Sequence, residues 1–210
     1  MPKIDKKSLA FKIAVISALV SFISFGYKLT LGIITASMVL IIASISALMV
    51  FICKLMFVRN TTKTKEQKKK AYFIMTIAAT VFVALFVLFS VLKVGGIDTS
   101  NQKTYSGWAG ALFILFILIM FVLSVIKLRG ALEKNDLVFK GLKEMTFISA
   151  LTDVVIIMEF IYRIVRHYIE DVNIVRIVRL TNNYSSIAVS VFMIIVVVSM
   201  FKRSLGYNKD

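Results

Sequence analysis

Four stretches of this sequence carry no charged side chain over 22 to 25 residues, and this feature limits the possible folds more than any other. About 20 apolar residues in an α-helix cross the hydrocarbon core of a bilayer. Runs of this length are too long for barrel strands, and only helices and closed barrels satisfy the backbone in lipid. The stretches therefore predict membrane-spanning helices, and they are residues 29–53, 71–92, 104–126 and 180–201.

Two further apolar segments are interrupted by charge. The first carries Lys12 near one end, where a lysine can snorkel to the headgroups, and the second carries Asp153, Glu159 and Arg163. We therefore predict an all-α polytopic membrane protein, a single integral membrane domain over residues 1–210 with a six-helix bundle. The predicted helices are residues 8–27, 31–57, 71–93, 107–127, 145–165 and 184–201.

The charge distribution predicts the orientation of this bundle. A net charge of +15 would suggest nucleic-acid binding in a soluble protein, but 59% of the residues are hydrophobic, so a membrane protein is favoured and no nucleic-acid partner is expected. With the N-terminus inside, 19 of the 26 Lys and Arg residues fall in cytoplasmic segments. The excess of basic residues inside predicts that both termini are cytoplasmic. The Lys- and Ile-rich composition favours the multi-pass cell membrane of a prokaryote.

The first predicted helix has a second interpretation, a cleaved signal peptide. It has a basic start and an apolar stretch, as signal peptides do. The next span begins within about five residues of its end, which leaves little room for an outer segment after cleavage. We therefore expect the helix to be retained.

Asp153 is the most unusual residue of the predicted bundle. It lies nine residues from Glu144, or about 13–14 Å into a hydrocarbon core of about 30 Å. No predicted span offers a basic residue at that depth, so we expect no ion pair within the chain. Three interpretations remain open: a proton or cation site on a transport path, a docking point for a cationic residue of another membrane protein, or a protonated acid bonded to the hydroxyls of Ser149, Thr76 or Thr80.

Glu159 and Arg163 lie nearer the outer edge of the same predicted helix. Their i,i+4 spacing, with the acid first, favours an ion pair on one helix face. Arg163 is close enough to the predicted outer interface to reach the headgroups. Together with Asp153 these two residues form the candidate intramembrane site, for function or for docking.

The predicted outer connection, residues 162–183, is amphipathic. Its apolar residues recur at helical spacing up to Val172, after which the phase slips, so we expect a break near Asn173 and a second short helix lying on the membrane surface. Residues 181–183 (TNN) are typical of a turn before the last span. Arginine binds phosphate and carboxylate in a bidentate manner, so Arg166, Arg176 and Arg179 form a candidate site for lipid headgroups or for an acidic partner segment. The alternative is an ordinary basic interfacial helix.

The residue inventory argues against an enzyme. The single cysteine, Cys53, and the single histidine, His167, fall at opposite predicted membrane faces, so they cannot form a nucleophile–base pair. No phosphate-binding or dinucleotide motif occurs, and neither a metal site nor a cofactor is expected. We expect an accessory protein, in assembly or protection, that binds membrane lipids and another membrane protein or a second copy of itself. The alternative is a small ion- or proton-coupled transporter or channel that uses Asp153.

Overall fold

The computed structural model describes residues 6–60, 64–96 and 136–206, together with seven separate positions between residues 115 and 126, and it describes side chains from residue 15 to residue 205. All the elements of these ranges are α-helices. The five helices are α1 (Lys6–Ile34), α2 (Met38–Asn60), α3 (Lys65–Val94), α4 (Leu137–Tyr168) and α5 (Val172–Gly206).

The membrane-protein class follows from the length and apolarity of these helices. Four of the five are long and apolar enough to cross a bilayer: Val15–Ile34 within α1, Met38–Asn60, Lys65–Val94, and Val172–Leu205 within α5. The predicted fourth span, residues 107–127, lies mostly outside the described residues, and its seven described positions are helical. The all-α prediction is therefore confirmed, whereas the count of six spans and the orientation stay predictions.

Several predicted helix boundaries are wrong. The second, third and fifth predicted helices begin at Met38, Lys65 and Leu137 and not at residues 31, 71 and 145. α1 does not end at residue 27 but continues to Ile34, and the turn to α2 occupies residues 35–37, where Ala36 has a positive φ of 47°. The predicted turn at residues 181–183 is also wrong, because α5 is continuous from Val172 to Gly206. The predicted break near Asn173 lies instead at residues 169–171, and no separate surface helix forms among the described residues.

α4 is the central helix of the described bundle. It packs against α2, α3 and α5, whereas α1 packs against α2 alone among the described helices. The large apolar side chains that α4 exposes, Ile161, Ile164 and Tyr168, all lie in its last two turns. α3 and α5 instead present long apolar faces to their surroundings, as helices in lipid do. α4 carries most of the buried charged side chains, and its packing against α2, α3 and α5 separates most of its surface from the surroundings of the bundle.

The hydrogen bonds show which helix ends share a face of the bundle. Lys68 near the start of α3 donates to Asp136, the residue before α4, at 3.0 Å, so α3 and α4 are parallel. Arg203 near the end of α5 pairs with Glu144 near the start of α4, so α5 is antiparallel to both. Lys54 late in α2 donates to the Ser21 hydroxyl of α1 at 2.6 Å. α1 therefore begins, and α5 ends, at the same face.

Candidate functional site: buried charges along α4

Asp153 forms an ion pair with Lys28 of α1. The Lys28 ammonium donates to Asp153 Oδ1 at 2.5 Å, and the two side chains are 7% and 14% exposed. Lys28 lies six residues before the end of α1, and Asp153 lies near the middle of α4. The pair joins two helices whose backbones do not pack against each other.

The expectation that Asp153 has no basic partner within the chain is therefore wrong. It depended on ending the first helix at residue 27, which placed Lys28 in an outer connection. Because α1 continues for seven further residues, Lys28 is inside the helix and level with Asp153. The polar and charged sequence around residues 26–30 gives no sign of this extension.

The hydroxyls considered as partners of Asp153 bond elsewhere. Ser149 shares a hydrogen bond of 3.0 Å with Ser46 of α2. Thr76 and Thr80 donate to carbonyl oxygens of their own helix, four residues earlier. The interpretation of Asp153 as an acid bonded to these three hydroxyls therefore has no geometric support.

Glu159 is the centre of a second buried cluster. Its Oε2 lies 3.0 Å from the Lys93 ammonium of α3 and accepts a 2.9 Å hydrogen bond from the side-chain amide of Asn182. Lys93 also donates to Asn182 Oδ1 at 3.0 Å. The Lys93 and Glu159 side chains are 4% and 6% exposed, so a base, an acid and an amide from three helices form a closed triangle.

Arg163 completes this cluster with a second positive charge. The predicted pair with Glu159 is confirmed, with Arg163 Nε 3.5 Å from Glu159 Oε1. The expectation that Arg163 reaches the headgroups is wrong, because its side chain is 10% exposed and donates to the Ser37 hydroxyl at 3.3 Å. The turn between α1 and α2 carries Ser37 and covers the guanidinium.

A third cluster lies at the opposite end of α4 and was not predicted. Glu144 is buried, accepts a 3.0 Å hydrogen bond from the Tyr72 hydroxyl and pairs with Arg203. The sequence places Glu144 at the edge of a span and Arg203 in a basic tail, as in many topology-setting segments. Only the parallel arrangement of α3 and α4, with α5 returning beside them, brings the three residues together.

The three candidate external arginines lie on a projecting hairpin, residues 164–180, formed by the end of α4 and the start of α5. Asn182 is level with Lys93, the penultimate residue of α3, so α5 extends about 15 Å past the end of α3. Arg166, Arg176 and Arg179 are all exposed. Tyr168, Val172 and Ile177 on the same hairpin are 70%, 78% and 62% exposed. The hairpin is thus a basic and apolar surface, separate from the intramembrane clusters.

The two residues considered for nucleophilic catalysis are far apart. Cys53 is buried near the end of α2, and His167 is exposed near the end of α4, which is the opposite end of the bundle. The described part of the chain also holds no group of three or more His, Cys, Asp or Glu side chains suited to a metal ion.

Comparisons with protein-family models, with curated proteins and with solved structures found no match to this chain. The assignment of a function therefore depends on the geometry of the three clusters and of the projecting hairpin.

Proposed function

We propose that this chain is a small ion- or proton-coupled transporter or channel in which Asp153 exchanges Lys28 for a proton or a cation. The observation that carries the proposal is the Lys28–Asp153 pair, which is largely buried and joins two helices whose backbones do not pack against each other in the described residues. The Lys28 ammonium already binds the Asp153 carboxylate, so a monovalent cation can compete with it for the same position. A proton would neutralise the same carboxylate.

The packing of α1 explains how such an exchange could move the protein. α1 packs against α2, whereas its backbone does not pack against α4, which Lys28 reaches through its side chain. Removing one partner of a buried ion pair costs about 3–5 kcal/mol, because the other charge is left uncompensated. A proton or cation on Asp153 would therefore leave the buried Lys28 ammonium without a counter-charge. The ammonium would then be more stable in contact with water. α1 would shift relative to α4 as the Lys28 ammonium moves.

The helix directions support six passes with both termini inside. α3 ends at one face and α4 begins at the other, so the chain between them has to return across the bundle. The predicted span at residues 107–127 would supply this crossing. The described bundle begins and ends at one face, as an even number of passes requires. The excess of basic residues in the segments predicted at that face favours a cytoplasmic position for it.

The proposal is tested by ion flux in liposomes that contain the purified protein. Asp153→Asn should reduce proton or alkali-cation flux by more than about tenfold, because a neutral amide neither releases a proton nor attracts a cation as a carboxylate does. Asp136→Asn is the matched control, since it makes the same chemical change in a half-exposed ion pair at the start of α4. It should leave the flux unchanged.

Asp153→Asn leaves Lys28 unpaired and could impair folding, so a second variant is needed. Lys28→Met combined with Asp153→Asn removes both charges, and buried ion pairs replaced by neutral residues are commonly tolerated. This double variant should elute as the native protein does in size-exclusion chromatography and still lack flux. Wild-type liposomes with no more proton, Na⁺ or K⁺ flux than empty ones would overturn the proposal.

A second candidate function is the accessory role, now carried by the projecting hairpin and not by Asp153. The hairpin combines exposed arginines with exposed apolar side chains, as a docking surface for an acidic membrane partner would. A liposome preparation without flux, together with a stoichiometric partner that copurifies with the wild type and is lost when Arg166, Arg176 and Arg179 are changed to Gln, would establish this role.

A further inference from the structure

The Glu159 cluster contains more positive than negative charge. Lys93 and Asn182 between them satisfy one oxygen of Glu159, and Lys93 alone neutralises its charge. Arg163 pairs with the other oxygen of Glu159 at 3.5 Å and has a side chain that is nine-tenths buried, so the cluster contains two positive charges and one negative charge. Asp153 pairs with Lys28. Apart from Glu159, no acidic side chain of the described residues forms an ion pair with Arg163.

The hydrogen bonds of Arg163 are incomplete as well. Its Nε is buried and has no hydrogen-bond acceptor among the described residues, although Glu159 lies within ion-pair distance. Buried polar groups are almost always bonded, and those that are not often mark a ligand or ion position. A guanidinium carries five N–H donors, of which one here bonds to Ser37.

The start of α2 lies beside this guanidinium. Ser37, which accepts the bond from Arg163, is the residue immediately before α2 and is 1% exposed. Its carbonyl oxygen accepts from the Ile41 N–H, so the helical ladder begins there, and the preceding N–H groups of the helix have no acceptor within the ladder. Such N–H groups favour anions.

We propose that Arg163, the Ser37 hydroxyl and the start of α2 form a binding site for one small monovalent anion of the halide class. The single excess charge sets the valence, and the burial of Arg163 and Ser37 favours a compact ion over a bulky one. The anion would balance Arg163 and give its Nε an acceptor. This site is independent of cation exchange at Asp153 and exists even if the chain carries out no transport.

The test is the melting temperature of the purified protein in chloride and in gluconate at equal ionic strength. Gluconate is too large for a buried position, so chloride should produce a saturable rise of about 5–10 °C at a hundredfold excess over its Kd. Arg163→Gln should abolish this rise. Arg166→Gln is the matched control, because it removes an exposed arginine three residues further along the same helix, and it should keep the rise.

Two further measurements keep the proposal falsifiable if Arg163→Gln does not fold. Arg163→Lys retains the charge and should keep part of the chloride response. Equilibrium dialysis of the wild type with radiolabelled chloride should show stoichiometric binding that bromide displaces. A wild type with the same melting temperature in both salts, or an equal response of the Arg163→Gln and Arg166→Gln variants, would overturn the proposal.

Discussion

Two aspartates fix where the last two helices begin. Asp136 precedes α4 and accepts from the N–H groups of Val138 and Phe139 at 3.0 and 3.2 Å. Asp171 precedes α5 and accepts from Asn173 and Ile174 in the same way. A capping carboxylate satisfies helix N–H groups that have no partner in the helix, and removing it costs about 0.5–2 kcal/mol.

Asp136 should make the stability of the protein depend on pH in the acidic range. Burial alone would raise the pKa of its carboxyl, but the hydrogen bond from Lys68 and those from the Phe139 and Val138 N–H groups outweigh burial, so the pKa lies below its usual 3.8. A carboxylate with a lowered pKa stabilises the folded state above the pKa of the unfolded chain, and this contribution is lost as the pH falls through the lower folded value.

The measurement is the melting temperature of the wild type and of Asp136→Asn between pH 6 and pH 3. Asparagine keeps the cap but neither titrates nor pairs with Lys68. The wild type should be the more stable at pH 6, and the difference should shrink below about pH 4. A difference that stays constant down to pH 3 would show that Asp136 does not contribute through its charge.

The residue pairs divide into those that local spacing predicts and those that it does not. Glu159 and Arg163 are four residues apart on one helix, so their pair follows from helical geometry. Lys28 and Asp153 are 125 positions apart, and their pair depends on where α1 ends. Arg166, Arg176 and Arg179 were expected to be external because of their place in the sequence, and the structure exposes all three on the projecting hairpin.

At the scale of the helices, apolar length predicts that a helix exists but does not fix its ends. Asn182 illustrates the reason. In the sequence it stands in a polar triplet typical of a turn, but in the structure it is 1% exposed inside α5 and bonded to Glu159. A polar residue that finds a buried partner on another helix no longer favours a break, and such a partner cannot be read from local sequence.

The turn between α1 and α2 depends on the absence of a side chain at Gly32. A Cβ there would lie 2.9 Å from Ile41 Cγ1 and 3.0 Å from the Ile41 backbone nitrogen. Gly32→Ala should therefore destabilise the protein by about 1–3 kcal/mol, the usual cost of forcing extra volume into a packed contact.

Gly26 is the matched control on the same helix, because a Cβ there would meet nothing within 4 Å. Gly26→Ala should stabilise α1 by about 0.5–1 kcal/mol, since alanine loses less backbone entropy in a helix than glycine does. The two melting temperatures, compared with that of the wild type, check both signs. Equal effects of the two substitutions would argue against a close approach of α1 and α2 at Gly32.

At the scale of the whole molecule, three ionic clusters lie inside the described bundle, whereas long apolar faces lie on its outside. The three ionic clusters all include an acid of α4, which packs against α2, α3 and α5. The apolar spans could be predicted from the sequence, but the burial of the ionic clusters could not, because the burial of α4 depends on how the helices associate. The fourth predicted span belongs to this arrangement as an expectation, supported by the parallel course of α3 and α4.

Single-cysteine labelling tests the predicted topology. In a Cys53→Ala background, a cysteine at Val172 on the projecting hairpin should react with a membrane-impermeant maleimide added outside intact cells. A cysteine at Glu66 near the start of α3 should react only after the membrane is opened, because basic segments stay in the cytoplasm. Reaction of both positions from the same side would contradict the arrangement of the helices, and the reverse pattern would invert the orientation.

The pairing of Lys28 with Asp153 and of Lys93 with Glu159 also has a consequence for biosynthesis. In each pair the base precedes the acid in the chain. Both bases lie towards the end of a helix, where a lysine side chain can extend to the headgroups until the helix that carries the acid has been inserted. Asp153, far from either end of α4, could not do so. If the helices enter the bilayer in the order of synthesis, Asp153 and Glu159 each arrive where the counter-charge is already present, whereas Glu144 is synthesised before its partner Arg203.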